Sequence, residues 1–237
     1  MKPRFISDLH LSDEHPELTQ AFFQFLKDSK KACTHLFILG DLFETWIGDD
    51  DDNPLYNEIK NALKDFTTNG PNTYFIHGNR DFLIGDTFAK QTGITILKDP
   101  HTIEINGLKV LLSHGDFLCT DDLDYIKFRN EVRDENWQSN FLSKSLSERK
   151  KIAQNLREES KEATALKSDA ITDVNNKSVQ DFIDEFQPDL FIHGHTHRPN
   201  IHNIDSSKRI VLGDWGVYGW FLVIDNKDFN LKKFLIS

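Results

Sequence analysis

The stretch 35-HLFILGD-41 decides the fold. An unbroken apolar run, too short for a buried helix and closed by Gly40, predicts a strand buried on both faces, as in the parallel sheets of α/β proteins. Gly40 lets the chain turn where the strand stops, and Asp41 emerges at its C-terminal end, where open α/β sheets place their ligands. The same pattern recurs along the chain as 5-FISDLH-10, 74-YFIHGNRD-81, 110-VLLSHGD-116 and 190-LFIHGHTH-197. In each, an apolar run ends in residues that bind metals.

Between the first three runs the period changes from strand to helix. Leu18, Ala21, Phe22, Phe25 and Leu26 predict a helix over 17–29, and a second helix is expected over 57–67. With strands over 4–7, 35–40 and 73–77, the order is βαβαβ, which predicts a parallel sheet with helices on its faces. The second half reads differently. Strands over 102–106 and 109–113 flank Asn106-Gly107, a hairpin signal, and further strands are expected over 190–193, 210–213, 220–225 and 231–236. A helix over 176–185 stops before Pro188. Residues 121–169 contain neither proline nor glycine and are rich in helix formers, so they predict two or three helices inserted after the strand over 109–113. The class is therefore α/β, a single domain over 1–237 carrying a helical insertion over 121–169.

Composition excludes several functions. The chain has 237 residues, 38% of them hydrophobic, and a formal net charge of −10. No apolar run approaches the roughly 18 residues that cross a bilayer, and the first ten residues do not read as a signal peptide, which points to the cytoplasm. An acidic chain lacks the basic groove of a nucleic-acid binder. Cys33 and Cys119 are read as two reduced thiols, and the run Asp49, Asp50, Asp51 and Asp52 as a solvated acidic loop. No coiled-coil seam or dimer patch is visible, which points to a monomer.

The chemistry lies in Asp8, His10, Asp41, Asn79, His114, His195 and His197. On an extended segment residues i and i+2 face the same side, so Asp8-x-His10 and His195-x-His197 are each expected to grip one ion. Mixed oxygen and imidazole donors suit Mn²⁺, Fe²⁺ or Zn²⁺ better than Ca²⁺. Two carboxylates cannot neutralise two divalent ions, so the centre keeps positive charge for an anionic substrate, and a shared Asp41 would bridge the pair. Arg80 stays protonated, with a pKa above about 12, and binds phosphate without acting as an acid. That tilts the reading towards a pyrophosphate, whose phosphate leaving group has a second pKa of about 6 and needs little protonation. Asp81 and Asp116 are expected to orient histidines or Arg80. His77 and His193 are read as buried supports, and His15, His35, His101 and His202 as surface or packing residues.

The blocks D-x-H, G-D, G-N-R-D, H-G and G-H-x-H, in this order, resemble those of the calcineurin-like metallophosphoesterases. The resemblance implies two mixed β-sheets flanked by helices. It also implies one metal on Asp8, His10, Asp41 and His197 and another on Asp41, Asn79, His114 and His195. The stretches 40-GDLFETWIGDDD-51, 77-HGNRDFLIG-85, 113-SHGDFLCTDDLDY-125 and 214-DWGVYGW-220 further resemble the UDP-2,3-diacylglucosamine diphosphatase branch of that family. This implies Mn²⁺ as cofactor, a nucleotide-linked diacylated glucosamine as substrate, and water attack on the nucleotide-side phosphorus. It implies peripheral contact with the cytoplasmic side of the bacterial inner membrane. It also implies Asn79, Arg80, Asp122, Tyr125, Ser160, Thr164, Lys167 and His195 as contacts to the acylated sugar phosphate.

The insertion suits such a substrate. At about 100° per residue, Leu156, Ala163, Leu166 and Ala170 fall within roughly 40° of Ile152, beside a polar sector of Arg157, Ser160, Thr164 and Lys167. Acyl chains are expected against this stripe and Trp137, Phe141 and Leu146, with the loop 46–48 as a wall. Two rivals are a hydrolase of soluble dinucleoside polyphosphates, which needs no apolar stripe, and a non-catalytic scaffold, which need not keep all seven ligands.

Overall fold

The computed structural model describes residues 1–165, 167–168 and 171–236, without the side chains of Thr164 and Ala165. Two mixed sheets face each other. The first begins with β1 (Pro3–Ile6), β2 (His35–Ile38) and β3 (Asn72–Phe75), joined in parallel register through α1 (Pro16–Ser29) and α2 (Pro54–Thr67). α3 (Asp86–Thr92) and the short edge strand β4 (Thr95–Ile96) extend it on one side. On the other side the C-terminal hairpin β10 (Tyr218–Asp225) and β11 (Asp228–Leu235) adds antiparallel to β1, giving the order β11-β10-β1-β2-β3-β4. The second sheet joins β5 (His101–Ile105), β6 (Leu108–Leu112), β7 (Leu190–His193), β8 (Asn200–Ile204) and β9 (Ser207–Val211) in the order β5-β6-β7-β9-β8.

Alternation along the strands builds three apolar layers. Phe5, Phe37, Leu39 and Ile76 of the first sheet meet Val110, Leu112, Ile192 and Ile210 of the second, and all are buried. On the far side of the first sheet Ile6, Leu36 and Ile38 pack against Phe22, Phe25, Ile59 and Leu63 from α1 and α2. On the far side of the second, Leu111 and Phe191 pack against Val179, Phe182 and Ile183 of α7 (Asn176–Phe186). The helices of the first sheet therefore cover one face only, because the second sheet takes the other. The βαβαβ pattern alone did not reveal that.

Local chemistry sets most boundaries. α2 starts before residue 57 because the Asn53 side chain accepts the Leu55 N–H at 2.9 Å and Pro54 fits the first turn. The β5–β6 turn places Asn106 and Gly107 at φ 54° and 79°, the left-handed pair a two-residue hairpin requires. β4, β8 and α3 carry no clear sequence signal, being short or lacking a clean apolar period. The acidic run is solvated only at Asp50 and Asp52. Asp49 accepts the Gly85 and Phe88 N–H groups at 3.0 and 2.9 Å, capping α3 from outside, and Asp51 is buried beside Lys150.

Residues 121–169 hold α4 (Leu123–Val132), α5 (Glu135–Leu142) and α6 (Leu146–Ala165). Asp122 and Asp134 cap the first two through side-chain oxygens. Ser145 and Glu148 cap the third reciprocally, a capping box. α6 ends at Ala165, so Lys167 lies beyond the helix, contrary to the helical expectation. Leu166 and Ala170 of the expected stripe, and the Thr164 side chain, lie outside the described residues. Arginines hook these helices to the sheet loops. Arg133 donates to the Gly78 carbonyl at 2.8 Å, Arg149 to that of Ile47 at 2.6 Å, and Arg157 to that of Glu44 at 3.1 Å.

Candidate metal centre

Five loops meet at the C-terminal ends of β1, β2, β3, β6 and β7, and backbone bonds lock them together. Leu9 and His10 donate N–H groups to the Asp41 carbonyl at 2.8 and 3.0 Å, and Gly194 donates to that of His114 at 3.0 Å. The buried Asp8 carboxylate accepts the His195 N–H, tying the first loop to the last. Gly78 has no room for a side chain, since a Cβ there would come 2.1 Å from Asp41 Oδ1.

The Asp8/His10 and His195/His197 segments are not extended, contrary to expectation. Asp8, His10, His195 and His197 have φ of 57°, 51°, 67° and 56°, and Asp41 joins them at 52°. Asp and His tolerate this left-handed region better than most residues. Each loop thus turns sharply, and the two histidines of the last loop part company instead of sharing one ion.

The side chains form two groups. In the first, His10 and His197 face each other with Nε2 atoms 3.3 Å apart, and His197 Nε2 is 3.4 Å from Asp8 Oδ1. In the second, Asn79 Oδ1 lies 2.9 Å from His114 Nε2 and 2.8 Å from His195 Nδ1. Asp41 stands between them, Oδ2 3.9 Å from His10 Nε2 and Oδ1 3.8 Å from His114 Nε2. Donor atoms of Asp8, Asp41 and His114 also lie within 4.8 Å of one another, as do those of Asp8, His10 and His197.

The donor set fits two divalent cations. His114 Nδ1 donates to the Leu39 carbonyl and His10 Nδ1 to Glu44 Oε2, both at 2.8 Å, which turns each Nε2 lone pair inward. Burial disfavours charge on His114, yet the carboxylates of Asp41, Asp8 and Asp116 push it up to about 9. The site therefore attracts positive charge even where it is dry. His195 is pushed down to about 4 by burial and by His114, leaving it neutral and ready to ligate.

Two carboxylates act differently from expectation. Asp81 orients no histidine and does not bind the Arg80 side chain. It accepts backbone N–H groups of Gly78, Asp41, Leu42 and Phe43 at 2.9, 3.2, 2.7 and 3.4 Å, clamping the second loop to the third. Asp116 accepts the Tyr125 hydroxyl at 2.8 Å and Arg129 Nε at 2.7 Å, so it anchors α4. Glu44, three residues after Asp41 in the same block, joins the site through His10, and no motif marks it.

Asn79, Arg80, Asp122, Tyr125, Ser160 and His195 line one cleft with His10, Asp41 and His197. Lys167 lines the adjoining one and pairs with Asp122 at 2.7 Å. Cys119 also faces the cleft, but burial pushes its thiol up to about 12, which makes it a poor nucleophile. A third pocket runs from Asn79 and Arg80 past Trp46 and Ile47 to Phe82, Phe128, Trp137 and Phe141. Leu146 does not line that pocket; it packs against the core cluster that holds Trp46, Ile47 and Phe141.

Residues 1–199 match the calcineurin-like phosphoesterase family. The chain belongs to the calcineurin-like phosphoesterases. This phosphoesterase is 43% identical to a UDP-2,3-diacylglucosamine hydrolase of Ectopseudomonas mendocina, with 98% of each chain covered. It is 46% identical to the same-named protein of Photorhabdus laumondii, covering 97% of this chain and 98% of that one. Identity to the Escherichia fergusonii protein of that name is 44%, with 99% of each covered. An archaeal phosphodiesterase of known structure shares the fold at 15% identity, with a TM-score of 0.52 over 99% of this phosphoesterase and 100% of that chain. Among the described residues no helix is long and apolar enough to cross a membrane.

Proposed function

We propose that this phosphoesterase hydrolyses the pyrophosphate bond of UDP-2,3-diacylglucosamine to UMP and 2,3-diacylglucosamine 1-phosphate, a step of lipid A biosynthesis. The observation that carries this is one continuous pocket. It begins at Asn79 and Arg80 beside the seven metal-type ligands and ends among Phe82, Phe128, Trp137 and Phe141. A soluble dinucleotide has no use for that apolar end, whereas acyl chains do. The names of the relatives support the same substrate.

The ligands are Asp8, His10, Asp41 and His197 for one ion and Asp41, Asn79, His114 and His195 for the other, with Mn²⁺ as the metal. When bound, two such ions supply Lewis acidity and an acidified water. The chain's own residues then place the substrate. Arg80 holds phosphate oxygens by charge and fork geometry. Asp122, Tyr125, Ser160, Thr164, Lys167 and His195 hold the acylated sugar phosphate, with Lys167 leaving Asp122 for it. Water attacks the nucleotide-side phosphorus, and the leaving phosphate monoester departs without a general acid, which is why an arginine suffices at position 80. The residues 121–169 form the cap over the lipid. The enzyme acts as a monomer, peripherally, at the cytoplasmic face of the inner membrane, where a diacylated substrate resides.

Turnover in oxygen-18 water tests this. Label in UMP, with activity lost in Asp41→Ala and on chelation, is the expected result. Label in the lipid phosphate would overturn the direction of attack. No turnover of the lipid with fast cleavage of soluble dinucleotides would overturn the substrate.

A further inference from the structure

Glu44 touches both the metal centre and the middle of α6. Its Oε2 accepts the Nδ1–H of His10 at 2.8 Å. Its Oε1 forms an ion pair with Arg157, whose second nitrogen donates to the Glu44 backbone carbonyl at 3.1 Å. Arg157 thus holds Glu44 at two points, and Glu44 in turn sets the direction of the His10 ring. Arg157 and Glu44 both line the apolar pocket, alongside Ala153, Leu156 and Ser160 of the same helix. Any shift of α6 must therefore stretch the ion pair or rotate the carboxylate that aims His10.

We propose that Glu44 is a positioning residue that couples the seating of α6 to the aim of His10, so that metal affinity depends on Arg157, which bonds Glu44 and not the ligand. The inference rests on His10 being a metal ligand. An imidazole whose Nδ1–H is held by a carboxylate is both oriented and more basic, and loss of such a partner typically weakens metal binding. A ligand that reorders α6 reaches the metal by this route without touching it.

The test is Mn²⁺ titration of the full-length protein by calorimetry, with thermal unfolding of each metal-free variant. Glu44→Ala is expected to weaken binding about tenfold or more, the usual range for a lost supporting carboxylate. Arg157→Met, which keeps the apolar stem, is expected to weaken it severalfold, and Arg157→Lys to recover most of the loss. The double variant should bind as Glu44→Ala alone, because the two act in series. If Glu44→Ala fails to fold, Glu44→Gln keeps an acceptor for His10 but loses the charge pair with the guanidinium, and Arg157→Met should then weaken binding by less than it does in the parent, since only the bond to the backbone carbonyl is left to lose. Unchanged affinity in Arg157→Met with a lowered melting temperature would show a merely structural contact and overturn the coupling. Losses that multiply in the double variant would also overturn it. A His10→Ala control that binds Mn²⁺ like the parent would instead overturn the metal reading beneath it.

Discussion

The Nε2 atoms of His10 and His197 face each other at 3.3 Å. His10 Nδ1 already donates to Glu44, so its Nε2 offers a lone pair. Two facing ring nitrogens need a proton or a cation between them. Mn²⁺ is therefore expected to raise the melting temperature, and EDTA to reverse the gain. At free metal a hundredfold above its Kd the stabilisation should be about 2.7 kcal/mol. His197→Ala should lose much of it. Scanning calorimetry that shows no response to chelation would count against a metal centre.

Gly78 abuts Asp41 so closely that any side chain must displace it, a Cβ lying 2.3 Å from the Asp41 backbone nitrogen. Gly78→Ala should cost about 1–3 kcal/mol through overpacking. It should also lower kcat far more than the fold loss explains, because Asp41 is the residue between the two ligand groups. Measuring kcat at saturating Mn²⁺ on protein shown to be folded separates the two effects. A folded variant with parental kcat would mean the loop yields without moving Asp41.

The buried Asp81 carboxylate satisfies four backbone N–H groups. Each buried donor left unpaired costs about 1–3 kcal/mol. Asp81→Ala is thus expected to lose several kcal/mol in urea unfolding, and Asp81→Asn less, because an amide keeps one acceptor. A loss below about 1 kcal/mol would mean that water replaces the carboxylate.

Arg149 pins α6 to the loop after β2, with its guanidinium on the Asp50 carboxylate and the Ile47 carbonyl. That hydrogen bond holds the Asp50 carboxyl below its ordinary value. A depressed carboxyl stabilises the fold fully above its unfolded pKa, about 3.9, and the contribution fades as pH falls through the lower folded value. Protection of the α6 amides, taken relative to the intrinsic exchange rate at each pH, should therefore fall below about pH 4 before the sheets open. In Arg149→Met that acid-sensitive step should vanish and exchange should be fast already at pH 7. Protection factors in α6 that do not change with pH in the parent would remove Asp50 from the anchor.

Lys167 pairs with Asp122 through two contacts of 2.7 and 2.8 Å beside the cleft. Lys167→Ala should raise KM for the lipid substrate about tenfold or more, as expected for one charge-assisted hydrogen bond, with little change in kcat. Steady-state kinetics decide it, and an unchanged KM would leave Lys167 with only its ion pair.

What the sequence by itself determined is what short-range chemistry encodes. The apolar runs at 35–40 and 190–193, the Asn106-Gly107 turn and the helical period of 17–29 specify their elements through neighbours a few residues away. The five ligand blocks were legible because each sits where a buried strand must end and turn. Which ligands share a group is not set by the local sequence but by the tertiary structure, which gives the physical reason for it. Left-handed φ at Asp8, His10, His195 and His197 depends on bonds from other loops, so His195 joins Asn79 and His114 while His197 joins His10. The same reason hid the work of Asp49, Asp81 and Asp116, whose partners lie on other elements, and of Glu44, whose Arg157 is 113 residues away. A carboxylate's own neighbours in the chain do not name its donor. The fold does, by bringing one within hydrogen-bond reach in a place partly or wholly shielded from water.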